Sequence, residues 1–408
     1  MTELSIDEQV KLLMHGSEFG DDSLKAAMAK ELKERLEGSQ KEGKPLRVYA
    51  GYDPSRPDIH LGHSITMRKL RQFQELGHDV IFVVGTFTAQ VGDTSDKNTA
   101  RPTRTMDEVM DAASTYAEQC YRILDRDKTT VVYTADWLSE LTMADVVRLA
   151  SNFTVQQFLT RDNYRKRIER SDAVGLHEFL YALLQGYDAV HLRADVQLGA
   201  TEQLFNIMAG RKLQEVHGQK GNVMLTFPIL VGLDGTERMS KSKGNYVGIA
   251  EAPNEQFGKT MSISDDTMLQ WIDLVTRWTP DEIEARIAGL RSGETHPMQL
   301  KKDLAREIVS MYHGDEAAER AAQHFESVHQ AKQVPDEMPE CVLAGPAGLI
   351  DLLVEQGLAS SKSEARRLIK GGGVRIDQQP VSDFDRQVAA SCLIQVGKRR
   401  FLRVFVEG

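Results

Sequence analysis

The chain has 408 residues, 27% of them charged, and a formal net charge of −10 at pH 7. This length suffices for two or three domains with substantial cores, and apolar runs such as residues 80–84 are too short to cross a bilayer. Cys120, Cys341 and Cys392 lack the spacing of zinc ligands and indicate a reducing compartment. Since the amino terminus also lacks a signal-peptide layout, we expect a cytoplasmic protein with no membrane partner and no metal site.

The first part of the chain predicts helices followed by a strand. Residues 1–45 carry apolar side chains at helical spacing and predict amphipathic helices packed on the body. An apolar run at residues 46–49 then predicts a strand, and residues 64–76 predict a helix. The stretch between them is therefore a strand-to-helix turn. In a parallel sheet, such a turn lies where the next helix directs its N–H groups and positive dipole end at a bound phosphate.

This turn contains two histidines, His60 and His63, on one side of the first helical turn. Gly62 stands between them and lets a flat ring approach the backbone, because glycine has no Cβ. The arrangement suits a nucleotide. Taken alone, the same histidines also fit an accidental surface loop or half of a metal site.

A second stretch has matching chemistry: Arg238-Met239-Ser240-Lys241-Ser242-Lys243-Gly244-Asn245. It follows a strand predicted at residues 225–233 and an Asp234-Gly235 turn. Three cations among small residues would form a mobile loop able to clamp a polyphosphate, although a solvated loop has the same composition. The two stretches together are far more specific than either alone, so we interpret them as two parts of one nucleotide site.

The elements between the two stretches predict the fold class. Apolar runs at residues 79–85 and 130–134 are predicted strands that alternate with helices. Such alternation indicates an α/β fold with a Rossmann-like parallel sheet. Two loops are expected at the same sheet edge as the histidines, namely residues 86–93, which end in Asp93, and residues 199–203.

A helix predicted at residues 176–190 carries a polar stripe, because Tyr181, Gln185 and Asp188 fall on one face. Burying a carboxylate costs several kcal/mol without a compensating partner. Asp188 therefore finds a donor within the protein or receives one from a ligand, and a purely structural Asp188 stays open at this point. The nearby amide of Gln203 can meet a carboxylate or a carbonyl group.

The last part of the chain has a different charge. From residue 346 onward, ten Lys and Arg outnumber seven Asp and Glu, so this tail carries +3 and the remainder −13. A basic appendage on an acidic body is typical of an RNA contact added to an enzyme, although basic surface residues also serve solvation alone. The candidate RNA-binding residues are Arg366, Arg367, Lys370, Lys398, Arg399 and Arg400.

These patterns predict a catalytic α/β domain, an α-helical bundle and a small α+β tail. The expected boundaries are N-terminal helices at residues 1–45, a catalytic domain at 46–246 with a helical insertion at about 120–175, a helical domain at 247–332, a proline-containing linker at 333–346 and an RNA-binding domain at 347–408.

The motifs resemble a known family. HLGH at residues 60–63 and RMSKS at residues 238–242 resemble the two signatures of class I aminoacyl-tRNA synthetases. The whole chain resembles the bacterial tyrosyl-tRNA synthetases, and its tail resembles an RNA-binding fold shared with a ribosomal small-subunit protein. Further similarity lies in Tyr49-Ala50-Gly51-Tyr52-Asp53-Pro54, in Gly92-Asp93, in Tyr181-x-x-x-Gln185-x-x-Asp188 and in the Gln203 loop.

The resemblance implies a ligase that makes tyrosyl-adenylate and pyrophosphate from L-tyrosine and ATP, with Mg²⁺ on the nucleotide, and then transfers tyrosine to its tRNA. It also implies a homodimer, joined through helices between about residues 120 and 175, and an anticodon-side role for the helical domain. Tyr49 and Asp188 would hold the phenol, and Asp93, Tyr181 and Gln185 the ammonium group.

The resemblance further assigns groups of residues to each ligand. The tyrosine-binding set is Tyr49, Gly51, Asp93, Tyr181, Gln185, Asp188 and Gln203. The ATP-binding set is Ser55, His60, Gly62, His63, Glu202 and Lys241. The catalytic set is His60, His63, Arg238 and Lys241.

The chain departs from the family pattern at four positions. Ala200 and Glu202 stand where the family usually has Gly and Asp in the ribose-contacting loop. Arg238 replaces the usual first lysine of its motif, and Ser55 replaces a threonine. The remaining alternatives are the sister enzyme for tryptophan, a non-catalytic RNA-binding paralogue and a simple nucleotidyltransferase. The Tyr181 stripe and the tail favour the tyrosine enzyme.

Overall fold

A computed structural model describes residues 4–54, 59–93, 105–331, 338–397 and 400–406. The chain divides into two compact units, Met1–Gln323 and His324–Gly408. Within the described ranges, no helix combines the length and the apolar character that spanning a membrane requires.

The first unit is built around a parallel sheet. Its strands are β1 (Arg47–Tyr52), β2 (Asp79–Val84), β3 (Thr129–Tyr133), β4 (Val196–Ala200) and β5 (Val223–Phe227). They are ordered β3-β2-β1-β4-β5. The chain thus proceeds outward from β1 on one side and then returns to place β4 on its other side. In open α/β sheets, ligands bind at this kind of reversal, in the crevice beyond the carboxyl ends of the strands.

Helices cover both faces of this sheet, which explains why β2 is buried along almost its whole length. The helices before β4 are α1 (Ile6–Met14), α2 (Asp22–Glu42), α3 (Leu61–Glu75), α4 (Thr88–Val91), α5 (Met106–Ala113), α6 (Tyr116–Cys120), α7 (Ala135–Leu138), α8 (Met143–Ala150), α9 (Val155–Leu159), α10 (Asp162–Glu169) and α11 (Leu176–Leu192). Those after β4 are α12 (Leu204–Val216), α13 (Pro253–Ser262), α14 (Asp265–Val275), α15 (Pro280–Ser292), α16 (Pro297–His313) and α17 (Asp315–Ala331).

The second unit contains α18 (Leu349–Glu355) and α19 (Lys362–Lys370) beside a small sheet. Its strands are β6 (Glu340–Leu343), β7 (Ala347–Gly348), β8 (Val374–Ile376), β9 (Gln379–Pro380), β10 (Gln387–Val388), β11 (Cys392–Val396) and β12 (Arg400–Val406). Five of them form a sheet of order β6-β12-β11-β8-β9, in which β6 is parallel to β12 and the other pairs are antiparallel. Strands β7 and β10 pair separately.

The predicted fold class is confirmed, with differences in three segments. The strand predicted at residues 225–233 ends at Phe227, because Pro228 has no N–H group to continue the ladder. Residues 199–200 belong to β4 rather than to a loop. Part of the segment predicted as a linker, Glu340–Leu343, is a strand that pairs with β12.

Candidate active site

The two histidines cap the amino-terminal end of α3. His60 Nδ1 accepts a hydrogen bond from the backbone N–H of Gly62 at 3.1 Å, and the His60 N–H donates to His63 Nδ1 at 3.3 Å. The ring centroids lie 4.0 Å apart. A Cβ at position 62 would come within 3.0 Å of the His60 ring, so this close approach favours glycine. The sequence therefore specifies both the start of the helix and the positions of the rings.

The same hydrogen bonds fix the protonation of the rings. Because each Nδ1 accepts an N–H, the proton of each neutral imidazole lies on Nε2, which is a donor. Burial, the neighbouring His63 and the charge of Lys241 strongly lower the pKa of His60. Burial and Lys241 lower the pKa of His63 to about 4. Both rings are thus neutral hydrogen-bond donors at pH 7.

The segment that follows the RMSKS stretch (residues 238–242) is joined to the histidine turn through backbone hydrogen bonds. Leu61 donates its N–H to the Val247 carbonyl, and Ile249 donates to the Ile59 carbonyl, each at 3.0 Å. These bonds flank an antiparallel bridge between His60 and Gly248. The two motifs therefore form one site, as the sequence predicts.

Asn245 holds the loop in shape. Its Oδ1 accepts from the Ser240 N–H at 2.9 Å, and its Nδ2 donates to the Arg238 carbonyl at 3.1 Å. The start of the loop is fixed by the Met239 N–H, which donates to the Leu230 carbonyl at 2.8 Å. Lys241 follows within a single turn of 3-10 helix, Lys241–Lys243. The cationic side chains thus stand on a backbone that is anchored on both sides.

A cavity of about 450 Å³ lies between these two stretches, and we call it the nucleotide cavity. Most of the predicted ATP-binding and catalytic residues line it, namely His60, Gly62, His63, Glu202, Arg238 and Lys241. Apolar side chains at residues 227–230 form part of its wall. A cavity with cations, a helix terminus and an apolar wall has the chemistry needed to hold a phosphate chain and a base.

A second cavity of about 280 Å³ adjoins the first, and we call it the amino-acid cavity. The tyrosine-binding residues predicted to line it do so with one exception: Gly51, Asp93, Tyr181, Gln185, Asp188 and Gln203 are lining residues. The two cavities share Gly62, His63, Thr66, Ala200 and Glu202. A ligand in one cavity can therefore contact a ligand in the other.

The exception is Tyr49, which lies in an apolar cluster with Trp137 and Leu184 under α11. Its side chain is 1% exposed, and its hydroxyl has no hydrogen-bond partner in the described part of the chain. Burial and the nearby Asp188 raise the pKa of Tyr49 well above its ordinary value. A buried hydroxyl without a partner is destabilising by about 1–3 kcal/mol, so a ligand group that satisfies it is favoured.

Asp188 is 4% exposed and accepts a hydrogen bond on Oδ1 from the indole N–H of Trp137 at 2.9 Å. Burial raises the pKa of Asp188 well above its ordinary value; the Trp137 bond opposes this rise, and the Asp53 charge adds to it. The sequence left open whether Asp188 has a donor in the protein. It has one, and a carboxylate can accept more than one such bond.

A second polar group lies in the same cavity, around Asp53. Tyr181 donates its hydroxyl to Asp53 Oδ2 at 2.9 Å, and Thr88 donates to Asp53 Oδ1 at 2.7 Å. A Cβ at Gly85 would come within 2.0 Å of Asp53 Oδ1, so only glycine leaves room for this carboxylate. This is a fixed, partly enclosed carboxylate, which is suited to a cation.

Asp93 and Gln185 are held by amides. Gln203 Nε2 donates to Asp93 Oδ2 at 2.6 Å, while Asn206 Nδ2 donates to Gln185 Oε1 at 2.9 Å and to Gln203 Oε1 at 3.0 Å. Because each side chain orients the next, two of the three predicted ammonium-binding residues, Asp93 and Gln185, form one network with Gln203 and Asn206.

Four site residues were missed by sequence reasoning: Asp53, Thr88, Trp137 and Asn206. A polar residue directly beyond the carboxyl end of β1 could have indicated Asp53. No comparable signal marks the others. Three predicted residues, Ser55, Lys398 and Arg399, lie outside the described residues.

The other predicted RNA-binding residues lie in the second unit. Arg366, Arg367 and Lys370 are exposed on α19. Arg400 begins β12, and its guanidinium donates to the Leu358 carbonyl at 2.8 Å. The structure thus gives Arg400 a structural contact, while the helix presents a row of exposed cations.

Comparison with known proteins assigns the first unit to a protein family. A family profile described as tRNA synthetases class I (W and Y) matches residues 40–330, a range that contains both cavities. The chain belongs to this family. A second profile, described as an S4 domain, matches residues 348–390 and so includes α18 and α19.

Relatives within the class I tRNA synthetases extend over nearly the whole chain. A tyrosine–tRNA ligase of Geobacter sulfurreducens is 45% identical over 406 residues, which are 98% of this chain and 99% of the relative. One from Haemophilus ducreyi is 48% identical over 375 residues, 92% of this chain and 94% of the relative. The predicted resemblance to the bacterial tyrosyl-tRNA synthetases is confirmed.

Solved structures agree on the fold. The tyrosyl-tRNA synthetase of Archaeoglobus fulgidus, complexed with L-tyrosine, has a TM-score of 0.60 at 24% identity and covers 78% of this chain and 100% of its own. A C-terminally truncated mitochondrial tyrosyl-tRNA synthetase of Aspergillus nidulans has a TM-score of 0.61 at 20% identity and covers 79% of this chain and 93% of its own.

Proposed function

We propose that this chain is a tyrosine–tRNA ligase, which activates L-tyrosine with ATP and transfers it to its tRNA. The observation that carries the proposal is the pairing of Tyr49 with Asp188. The buried Tyr49 hydroxyl, which has no partner in the described residues, lies near the buried carboxylate of Asp188, and Asp188 lines a cavity that adjoins a cationic one. The names of the relatives support the same function.

The pair accounts for the choice of amino acid. A phenol is both a donor and an acceptor, so Asp188 would accept its O–H and the Tyr49 hydroxyl would donate to its oxygen. Phenylalanine would offer a hydrogen bond to neither group and would leave the Tyr49 hydroxyl buried without a partner in the described residues. Tyrosyl-tRNA synthetases are the established example of this principle, and as a class they discriminate against phenylalanine by about 10⁵.

The ammonium group of tyrosine is assigned to the opposite side of the amino-acid cavity. Asp93, Tyr181 and Gln185 carry this role in our proposal, and Asp53 adds a second carboxylate. Gly51 and Gln203 complete the lining around the ligand. Two carboxylates held by neighbouring donors supply charge complementarity for one cation.

ATP is assigned to the nucleotide cavity. The phosphates would meet the amino-terminal end of α3, the Nε2–H donors of His60 and His63, and the cations Arg238 and Lys241. Gly62 leaves room for the adenine, and Glu202 would reach the ribose. Ser55 is proposed as a further phosphate contact from its sequence position.

The first reaction is a displacement at phosphorus. A carboxylate oxygen of tyrosine attacks the α-phosphorus, the bond from that phosphorus to the bridging oxygen breaks, and pyrophosphate leaves with the electron pair. No side chain has to act as a base, because the nucleophile is already an anion. Holding the reactants in line can contribute ~7–11 kcal/mol, and the cations with the imidazole donors stabilise the charge on the leaving pyrophosphate.

The second reaction transfers tyrosine. A hydroxyl of the terminal tRNA ribose attacks the tyrosyl carbonyl carbon, an ester forms, and AMP leaves with the electrons of the broken mixed-anhydride bond while its phosphate accepts the hydroxyl proton. We propose that the tail binds the tRNA, which the S4 match and the exposed cations of α19 support. Arg366, Arg367 and Lys370 are the described candidates, with Lys398, Arg399 and Arg400 added from the sequence.

Magnesium is proposed to enter with the nucleotide. Within the described residues, no group of three His, Cys, Asp or Glu side chains could hold a metal ion. Mg²⁺ does not need such a group, because it commonly keeps several waters and binds through substrate phosphates with few protein ligands. Bound there, the ion would neutralise phosphate charge.

A homodimer through the helical insertion is also proposed. Large apolar side chains are exposed on α8, α9, α10 and α11, among them Met143 at 78%, Val147 at 60%, Val155 at 57% and Leu176 at 82%. Exposed apolar clusters of this kind mark association surfaces. Sedimentation should give the mass of two chains, and Val147→Asp should shift it toward one.

We place the enzyme in the cytoplasm, where a tRNA ligase meets its substrates.

Exchange of labelled pyrophosphate into ATP tests the enzymatic proposal. We expect exchange that depends on tyrosine and not on tryptophan or phenylalanine. Asp188→Ala should lose the discrimination together with most tyrosine binding. Tryptophan-dependent exchange would indicate the sister enzyme. Exchange without any amino acid would indicate a nucleotidyltransferase, and no exchange at all would indicate a non-catalytic paralogue.

A further inference from the structure

Glu202 and Arg238 form an ion pair across the nucleotide cavity, with Arg238 Nη1 and Glu202 Oε1 3.8 Å apart. Glu202 belongs to the 3-10 turn Thr201–Gln203 that follows β4, and Arg238 begins the RMSKS stretch. Their side chains are 28% and 35% exposed, respectively. The pair thus joins the sheet edge to the cationic loop at a place that is partly shielded from water.

The charges of the residues that line the cavity distinguish this contact from an ordinary surface ion pair. Among its described lining residues, Glu202 is the one acid, while Arg238 and Lys241 are cations. The positive charge of Lys241 lowers the pKa values of both histidines. Before a phosphate chain arrives, Glu202 therefore supplies a counter-charge to Arg238 within this cavity.

By the resemblance drawn from the sequence, the two residues are also the two charged departures from the family pattern. Each is larger than the residue usually found at its position: glutamate is one methylene longer than aspartate, and a guanidinium fork replaces an ammonium group. At 3.8 Å the pair is close to the limit of about 4 Å for an ion pair. Shortening residue 202 to aspartate would therefore weaken this contact.

We propose that Glu202 is a positioning residue for Arg238, and that it holds the RMSKS stretch over the nucleotide cavity before ATP binds. The inference rests on the proposed function, in which this cavity takes ATP. A loop that is docked in advance loses less conformational freedom when the phosphates bind, which lowers the KM for ATP. In this respect Glu202 acts through Arg238, in addition to any contact with the ribose.

A double-mutant cycle separates the two roles of Glu202. The full-length chain is made with Glu202→Asp, with Arg238→Lys and with both changes, and the KM for ATP and kcat are measured by tyrosine-dependent pyrophosphate exchange. Glu202→Asp should raise the KM about fivefold with a smaller effect on kcat, and this increase should shrink to about twofold or less when Arg238→Lys is also present. Additive effects would mean that Glu202 serves the ribose alone, and they would overturn the proposal.

The loop offers a matched control. Lys243 and Glu237 form an ion pair at the same separation of 3.8 Å, but both are more than half exposed and neither lines the cavity. Glu237→Gln should therefore leave the KM for ATP unchanged, because exposed ion pairs contribute little. An equal effect of Glu237→Gln and Glu202→Asp would attribute the change to loop charge in general and would also overturn the proposal.

Limited trypsin digestion gives a readout that needs no catalysis. Arg238, Lys241 and Lys243 are trypsin sites within the loop, and Glu202→Asp leaves all of them in place. Without ATP, this variant should be cut in the loop about threefold faster than the parent chain. An unchanged rate of cleavage would overturn the proposal that Glu202 positions Arg238, whatever the kinetic result. Absence of pyrophosphate exchange in the parent chain would instead refute the proposed function. The digestion would still test the contact between Glu202 and Arg238.

Discussion

Trp137 donates its indole N–H to Asp188 Oδ1 at 2.9 Å, and the same indole stacks on His191 with ring centroids 4.6 Å apart. The rings are within 11° of parallel. A surface histidine thus supports the indole that orients the buried carboxylate. Because this bond occupies Oδ1, the orientation of Asp188 is set before any ligand enters the cavity.

Trp137→Phe should weaken tyrosine binding. The change keeps an aromatic ring against His191 but removes the donor to Asp188, whose pKa the bond now lowers. A hydrogen bond to a charged group contributes about 1.5–3 kcal/mol, so we expect a tenfold or greater increase in the KM for tyrosine and a smaller preference over phenylalanine. Pyrophosphate exchange measures both quantities. An unchanged KM, with His191→Ala as the control for stacking, would contradict this role for the bond.

Tyr49→Phe should separate stability from binding. In the free protein, the change removes a buried hydroxyl that lacks a partner among the described residues, so the thermal midpoint should stay the same or rise. Tyrosine binding should weaken, because the donor to the ligand oxygen is lost. Calorimetry with and without tyrosine tests both effects. A clear fall in the midpoint of the free protein would show that the hydroxyl already has a partner.

The lowered pKa of His63, about 4, predicts the pH dependence of stability. The unfolded histidine titrates near 6.5, so between about pH 4 and 6.5 the unfolded state binds more protons than the folded state. The free energy of unfolding should therefore rise with pH across this window and level off above it. Since His63 is partly exposed, we expect a contribution of about 1–2 kcal/mol.

His63→Asn provides the comparison, because its amide oxygen can accept the same backbone N–H without titrating. Denaturant unfolding of both proteins from pH 4 to 8 should show a shallower rise for the variant. In the parent enzyme, kcat/KM should show no acid-side loss near pH 6.5 that belongs to His60 or His63. Such a loss would mean that a charged imidazole forms in the working pH range.

Glu178→Gln should strongly destabilise the first unit. Arg167 and Glu178 form an ion pair with side chains 1% and 0% exposed, and Glu178 Oε1 also accepts the Gly175 N–H at 2.8 Å at the start of α11. Removing one partner of a buried pair costs about 3–5 kcal/mol. Replacing both, with Arg167→Met and Glu178→Leu, should restore much of the loss. Urea unfolding followed by tryptophan fluorescence distinguishes these outcomes; equal loss in both variants would contradict the charge argument.

Much of the fold follows from local patterns in the sequence. The strand predicted at residues 79–85 is β2 (Asp79–Val84), and the helix predicted at residues 176–190 is α11 (Leu176–Leu192). Strand β4 was missed because Gln197 interrupts its apolar run. This side chain is 2% exposed and accepts from Asn222 Nδ2 at 3.2 Å, so a partner distant in the sequence makes its burial possible. A local pattern cannot reveal such a partner.

The residues of the candidate site also fall into two groups, those that sequence motifs indicate and those whose contacts depend on the folded structure. His60, Gly62 and Lys241 stand in compact motifs whose chemistry is visible in a few residues. Trp137 is different, because its role exists only where α7 meets α11. The Glu202 contact with Arg238 likewise depends on the packing of a turn against a loop. Residue types indicated the ligands, whereas the orientation of each side chain required the three-dimensional structure.

The backbone bridge between His60 and Gly248 has a consequence for synthesis on the ribosome. The histidine turn emerges early, but the strand-like segment that completes its hydrogen bonding is made only after all five parallel strands. A nascent chain therefore cannot assemble a working nucleotide site until this unit is nearly whole. Partial products released before that point should not consume ATP.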